Sequence, residues 1–408
     1  MSSRLPGGVV ALGFVSLFMD VSSEMIHALL PLFLTGTLGA PVLYVGLIEG
    51  AGEGLAQIVK VFSGALSDRI GRRKPLLLFG YGLAGLTKPA FALAGSAGMV
   101  LAARLADRLG KGIRGAPRDA LVADLVPPER RGAAFGLRQT LDTIGAVIGP
   151  LLAIGILWAS SGNIRLVFAL AIIPAAIALA ILARGVQEPP RAAPAPATPV
   201  PQARRFSRAA MAALGRPFWM LTALAALIAV ARLSEPFLIL RASDAGLGLT
   251  WTPLVLSILS AAYAATAWPV GHLSDRLGGR GLLALSLAVL AAAYGCLIAG
   301  GLPLALLGVA LWGLHMGLSQ GVLTAALSRL LPANLRGTGF GLYNLAGGLA
   351  TLAANGAAGG LWTLWGPGAA FGLGAGGALL ALMLTLSRPA LWGAVRPTPP
   401  GRAGSGNL

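Results

Sequence analysis

Two charged stretches, set in an otherwise apolar chain, constrain this sequence more than any other feature. Positions 64–76 read GALSDRIGRRKPL, and half a chain later positions 271–283 read GHLSDRLGGRGLL. In the first, an apolar run ends and Asp68, Arg69, Arg72, Arg73 and Lys74 follow within a few residues. A turn so dense in charge cannot lie in hydrocarbon, so it marks a water boundary of a membrane. Its surplus of Lys and Arg places it on the cytoplasmic side. A second pair agrees: PPERRGAAFGL at 127–137 against LPANLRGTGFGL at 331–342. Symmetry on this scale reads as two copies of one membrane-embedded half.

Composition excludes the soluble alternatives. Of 408 residues 56% are hydrophobic and 11% charged, far too apolar for a soluble domain of this length. The excess of 31 Lys and Arg over 14 Asp and Glu clusters between apolar runs, as positive-inside loops do, so nucleic acid is not an expected partner. The one cysteine, Cys296, leaves no internal disulfide and no cysteine-based metal cluster. The first apolar segment is long and carries Asp20, Glu24 and His27, so it reads as a retained helix rather than the core of a cleavable signal.

Apolar segments of spanning length run at 9–36, 42–66, 75–95, 98–123, 132–158, 164–184, 216–240, 251–273, 281–300, 303–328, 337–362 and 366–387. The expected fold class is therefore an all-α membrane protein of two pseudo-symmetric six-helix bundles, about twelve transmembrane helices in all. The loops after helices 2, 4, 6, 8 and 10 are basic and the alternate ones nearly uncharged, which puts both termini in the cytoplasm. The expected organisation is a first bundle at 1–184, a Pro- and Ala-rich cytoplasmic linker at 185–215, a second bundle at 216–388 and a disordered tail at 389–408. The 58 glycines concentrate in the apolar runs, where small residues let membrane helices approach closely.

With these residues in view, the chain resembles the major facilitator superfamily over nearly its full length. Gly64, Leu66, Asp68, Arg69, Gly71, Arg72 and Arg73 match the family's loop 2–3 signature, G-x-L-a-D-r-x-G-r-k. Gly271, Leu273, Asp275, Arg276, Gly278 and Arg280 form a nearly complete second copy. The resemblance implies that the aspartate caps a neighbouring helix and pairs with arginines, latching the cytoplasmic side when the protein faces outward. In GAVIGPLLA, Gly145, Gly149 and Pro150 resemble the helix 5 signature G-x-x-x-G-P associated with exporters, although Ala153 stands where that pattern continues with glycine. The resemblance also implies a secondary active transporter in which two halves rock about a cavity lined by helices 1, 4, 7 and 10. No enzymatic activity and no cofactor are expected.

Titratable side chains at membrane depth are the candidates for function, because each costs several kcal/mol unless paired or wet. Asp20, Glu24 and His27 fall within about 60° of one another on helix 1. Helix 2 repeats the pattern with Glu49, Glu53 and Lys60. On helix 4, Arg104, Asp107, Arg108, Lys111 and Arg118 make one stripe about 100° wide, which must face a watery cavity or carboxylates. Asp20 and Glu24, with Glu49 and Glu53 behind them, are the expected proton carriers, since desolvation and a nearby arginine act on a carboxylate in opposite senses. Arg104 occupies the place of the family's helix 4 arginine, which tunes a neighbouring acid. Arg108, Lys111, Arg114, Arg118 and Lys88 are candidates to hold an anionic or zwitterionic substrate. Helix 7 adds Arg232 and Glu235, and helix 10 adds His315 and Gln320. The competing reading is that these charges only zip helices 1, 2 and 4 together.

His27 with Asp20 and Glu24 also permits a divalent-metal exporter, but crowding by basic residues opposes a cation, so no metal site is assigned. No G-x-x-x-x-G-K-S/T loop is present, which argues against ATP as the drive, and no nucleophile–base arrangement supports a membrane enzyme. A sensor would require a soluble signalling domain; a lipid flippase is the other alternative. The expected function is proton-coupled efflux of a small organic anion, zwitterion or drug by a monomer in the bacterial inner membrane. The main alternative is a proton-coupled importer of an organic anion. The expected partners are that substrate, protons and the lipid bilayer.

Overall fold

The computed structural model describes residues 5–188, 208–319, 321–331 and 335–388; the side chains of residues 61, 65, 68, 208–210, 267–269, 271–276, 336 and 337 lie outside that description. Most of the expected linker and all of the expected tail fall outside the described residues as well. The described chain contains no β-strand.

Among the described residues twelve main helices, some of them interrupted, follow one another. In the first bundle α1 is Gly7–His27, extended by a turn at Leu30–Leu32 and a π-helical stretch at Phe33–Thr37. Next come α2 (Val42–Ile70), α3 (Lys74–Leu93), α4 (Ala97–Asp124), α5 (Arg131–Ala159) and α6, which is Ile164–Leu170 continued by Ile172–Gly185. In the second bundle α7 is split into Gly215–Ala231 and Glu235–Asp244. The helical run Leu254–Ala299 is broken at Gly278 into α8 and α9. Then α10 is split into Leu302–Ser319 and Val322–Leu330, and α11 (Arg336–Trp365) and α12 (Pro367–Ser387) complete the fold.

Local chemistry explains the ends. Ser96 accepts a hydrogen bond from Met99 N and starts α4, and Asn163 accepts one from Leu166 N and starts α6. Gly71 ends α2 with φ 71°, and Gly278 breaks the α8–α9 run with φ 65°. These are the equivalent glycines of the two repeated stretches, and only glycine takes that left-handed backbone without steric cost. Asp68 and Arg69 therefore belong to the last turn of α2, one turn later than the apolar run ends. The helix outlasts its apolar stretch because no breaker occurs before Gly71.

Ten of the helical runs are long and apolar enough to cross a membrane. Two are not: α4 because of its charged stripe, and α11 because glycine and asparagine dilute its apolar residues. Packing repeats between the halves. α1 lies on α5 and α6 as α7 lies on α11 and α12, and α3 lies on α4 and α6 as α9 lies on α10 and α12. The α2–α4 pair corresponds to α8–α10. The protein is thus two pseudo-symmetric six-helix bundles.

The bundles meet along α2–α11 and α5–α8. At the end remote from the basic stretches, a Cβ on Gly46 would overlap the Asn355 carbonyl oxygen, and one on Gly359 would stand 2.9 Å from Leu43 Cα. There the bundles also share one apolar core, with Ile26, Phe33 and Val45 from the first half against Phe237, Leu256 and Trp362 from the second. Toward the basic end each bundle has a core of its own: Leu12, Tyr81 and Leu182 in one, Phe218, Leu283 and Leu327 in the other. The molecule is closed at the remote end and divided at the basic end.

Candidate functional site

The division between the bundles holds a cavity of about 640 Å³, walled by α1, α2, α4, α7, α10 and α11. A second cavity of about 460 Å³ shares Glu24, Glu53, Lys60 and Lys111 with it and continues along α5 and α8.

The stripe on α4 faces this space and α2. Arg104, Asp107 and Arg108 are each at most 5% exposed, and every one of them meets an opposite charge. Arg104 Nη2 lies 2.6 Å from Glu49 Oε2, and Arg108 Nη2 lies 2.9 Å from Glu53 Oε1. Lys88 reaches across from α3, its Nζ 3.0 Å from Asp107 Oδ1. Guanidinium forks suit buried carboxylates because one planar group offers several donors. Glu49 and Glu53, expected as reserve proton carriers, thus sit in ion pairs, and Lys88 pairs with Asp107 away from the cavity walls.

The acids of α1 differ. Asp20 lines the smaller cavity and makes no ion pair or hydrogen bond among the described residues. Glu24, one turn on, has His27 Nδ1 3.7 Å from its Oε2. His27 draws three helices together. Glu24 on its own helix, Glu49 of α2 (3.8 Å from Nε2) and Glu235 of α7 (3.5 Å from Nδ1) surround it. The second bundle thereby touches the charge cluster of the first. Helix α5 backs this wall closely: a Cβ on Gly149 would stand 2.7 Å from Val21 O and 2.9 Å from Glu24 Cβ. Gly145 makes the same approach at Leu17 and Asp20, and Pro150 is buried inside α5.

Glu235 reaches His27 because α7 is interrupted. Its first piece ends at Ala231, Arg232 takes φ −89° and ψ 86°, and Pro236 in the next turn restarts the helix. Two side chains satisfy the freed backbone groups. Tyr294 Oη accepts from Leu233 N at 3.0 Å and donates to Ala231 O at 2.6 Å, and Asn355 Oδ1 accepts from Ser234 N at 3.1 Å. Unwound backbone at membrane depth persists only with such partners or with water. Arg232, at the break, projects into the larger cavity.

The remaining candidates divide. Lys111 lines both cavities, and Arg114 and Arg118 line the smaller one. Arg114 stacks over the Tyr81 ring, 4.2 Å from its centroid, and Arg118 Nη1 donates to Ser16 Oγ at 3.3 Å. His315 does not face the cavity; it is fully buried, with Nδ1 2.8 Å from Ser286 O on α9. Gln320 lies outside the described residues, as do the side chains of Asp68, Asp275 and Arg276.

Near the latch stretch, Arg73 Nε lies 2.8 Å from Asp124 Oδ2, and Lys74 Nζ donates to Ala183 O at the end of α6. Arg280 Nε likewise donates to Thr385 O at the end of α12. In both halves a basic residue after the left-handed glycine caps the last helix of its own bundle. Arg69 and Arg72 are exposed. Gly64 faces α4, where an added Cβ would stand 3.3 Å from Ala116 Cβ.

Several lining residues escaped the sequence reading. Arg138 and Asp142 of α5 form a 2.6 Å pair on the wall of the smaller cavity, and their presence inside an apolar segment was the available signal. Tyr263, Trp312 and Tyr343 of the second bundle also line the space, but nothing local distinguishes them from packing aromatics. Among the described residues no group of three or more His, Cys, Asp or Glu side chains is placed to hold a metal ion.

A closed end, a divided basic end and a charged cavity between duplicated bundles are the frame of a polytopic membrane transporter. The sequence matches the family described as Major Facilitator Superfamily across residues 12–355, and the chain belongs to that family. It is an integral multi-pass membrane transporter, not an enzyme. An uncharacterized MFS-type transporter of Methanocaldococcus jannaschii is 30% identical over 366 residues, covering 86% of this chain and 87% of that protein. The multidrug resistance protein MdtH of Edwardsiella ictaluri is 32% identical over 144 residues, 35% of this chain and 33% of that protein. Among solved structures, a POT family transporter in complex with a thioalcohol conjugated peptide superimposes with a TM-score of 0.78 at 16% identity, covering 96% of this chain and 97% of that one, a likeness of fold.

Proposed function

We propose that the protein couples inward proton movement to the efflux of a small anionic or zwitterionic organic molecule. The two bundles, 1–184 and 216–388, would rock about the cavity within a single chain in the inner membrane, with both termini in the cytoplasm. The observation that carries this reading is the contrast among the buried acids. Glu49, Glu53 and Asp107 each make an ion pair with a cation, whereas Asp20 faces the cavity and makes no ion pair among the described residues. A carboxylate committed to a buried ion pair gives up its charge only at the cost of stranding its partner, so it is poorly suited to carry protons. Asp20, with Glu24 one turn away, is free to exchange a proton with water on whichever side the cavity opens. Efflux rather than uptake is favoured by the likeness to a multidrug resistance protein over a third of the chain and by the glycines of α5. The basic stretches at the divided end support its cytoplasmic placement.

The test uses purified protein in vesicles loaded with a pH-sensitive dye, with candidate anions and drugs supplied outside. Asp20→Asn is expected to abolish substrate-linked proton movement while leaving downhill exchange of substrate measurable. Wild-type proton movement per substrate in both Asp20→Asn and Glu24→Gln would place the carrier elsewhere.

A further inference from the structure

Cations in and around the cavity fall into two groups. Arg104, Arg108 and Lys88 are matched to carboxylates, Arg138 pairs with Asp142, and Arg114 and Arg118 rest on Tyr81 and beside Asp119. Lys111 and Arg232 are different. Both are exposed to the larger cavity, and among the described residues neither makes an ion pair. Lys60 shares that property, but it lies nearly two turns beyond Glu53 toward the basic end, where water is at hand.

The two stand on opposite bundles: Lys111 on α4 of the first, Arg232 at the α7 break of the second. Arg232 is also held by built structure, since Tyr294 bridges the backbone on both sides of it and Asn355 fixes Ser234 N just beyond. Among the described residues the only other charged lining residue of the second bundle is Glu235, and it is turned to His27. While the cavity is wet both cations are solvated. When the bundles close over it that water leaves, and a cation without an anion becomes costly at membrane depth.

We propose that Lys111 and Arg232 are paired anion anchors on the two bundles, and that the transported molecule is a small dianion with acidic groups, carboxylate or phosphoryl, at both ends. One end meets Lys111 as a point charge; the other meets the planar fork of Arg232. Bound across the gap, such a molecule neutralises both cations and ties the bundles together, so closure becomes dependent on substrate. This inference rests on the transport reading above and narrows its substrate class.

Binding is measured by titration calorimetry on the full-length protein in detergent, without a pH gradient. The probes are α,ω-dicarboxylates of increasing chain length, α,ω-diphosphonates of the same spans, and the matching monoanions. At least one dianion is expected to bind about 10- to 100-fold more tightly than its monoanion, the gain of a second charge-assisted contact. Whether the dicarboxylate or the diphosphonate series shows the larger gain identifies the acidic group. Lys111→Gln and Arg232→Gln should each reduce the dianion to the affinity of the monoanion. Arg232→Lys, which keeps the charge but loses the fork, should retain part of the preference and guards against simple misfolding. Equal affinities for dianion and monoanion in the wild type, absence of binding by every probe, or an undiminished preference in Arg232→Gln overturns the proposal. Because no gradient is used, failure here leaves the proton-coupling test standing, and failure of that test leaves this binding result intact.

Discussion

The two bundles share one packing plan and differ in chemistry. The first lines the cavities with acids and bases on α1, α2, α4 and α5, most of them matched to one another. Among the described residues the second lines them with only two charges, Arg232 and Glu235, both beside the interruption of α7. Duplication preserved the frame, namely the left-handed glycine after the second helix, the basic cap on the last helix and the equivalent helix contacts. It did not preserve the buried charge. The first bundle is held by ion pairs across α2 and α4, and the equivalent α8–α10 contact brings small residues such as Gly313 against Leu259. Ionic chemistry is concentrated in one half, and the other presents it with a single charged edge.

That contrast can be broken most forcefully at Arg104. Arg104→Gln leaves Glu49 buried without its closest cation, and the expected loss is about 3–5 kcal/mol of stability. Reversible unfolding in mixed detergent measures it; a loss below about 1 kcal/mol would mean that the pairs do not hold the first bundle. The corresponding strain on the second bundle is smaller. Tyr294→Phe removes the hydroxyl that bridges Leu233 N and Ala231 O, with an expected loss of about 1–3 kcal/mol for buried backbone groups left unpaired. The same unfolding assay applies, and no change would show that water takes over the bridge. The smallest effect is expected at Arg118, whose contacts to Asp119 and Ser16 border the wet cavity. Arg118→Gln should cost less than about 1 kcal/mol, and a larger loss would place it with Arg104 among the structural cations.

Much of this architecture could be read from the chain. Twelve apolar runs, the repeated glycines at 71 and 278 and the charged face of α4 follow from local periodicity, which a sequence displays directly. The interruption of α7 does not. The run 216–240 looks continuous, and the break at Arg232 persists because Tyr294 and Asn355, far off in sequence, supply the missing hydrogen bonds. Partner choice was equally hidden. Asp20, Glu24, Glu49 and Glu53 look alike as acids in apolar helices, and only the packing of α2 against α4 separates paired from free. His315 shows the converse: a polar residue on a helix of the cavity wall that turns toward α9 to bond Ser286.

Asn355 belongs to two arrangements at once. Its Oδ1 steadies the α7 break, and its backbone fills the space beside Gly46 where the bundles are pressed together. Parting the bundles at Gly46 therefore also moves the group that steadies the α7 break. The seal and the helix that carries Arg232 and Glu235 are coupled through one residue. Hydrogen exchange across residues 42–46 reports how often that seal opens.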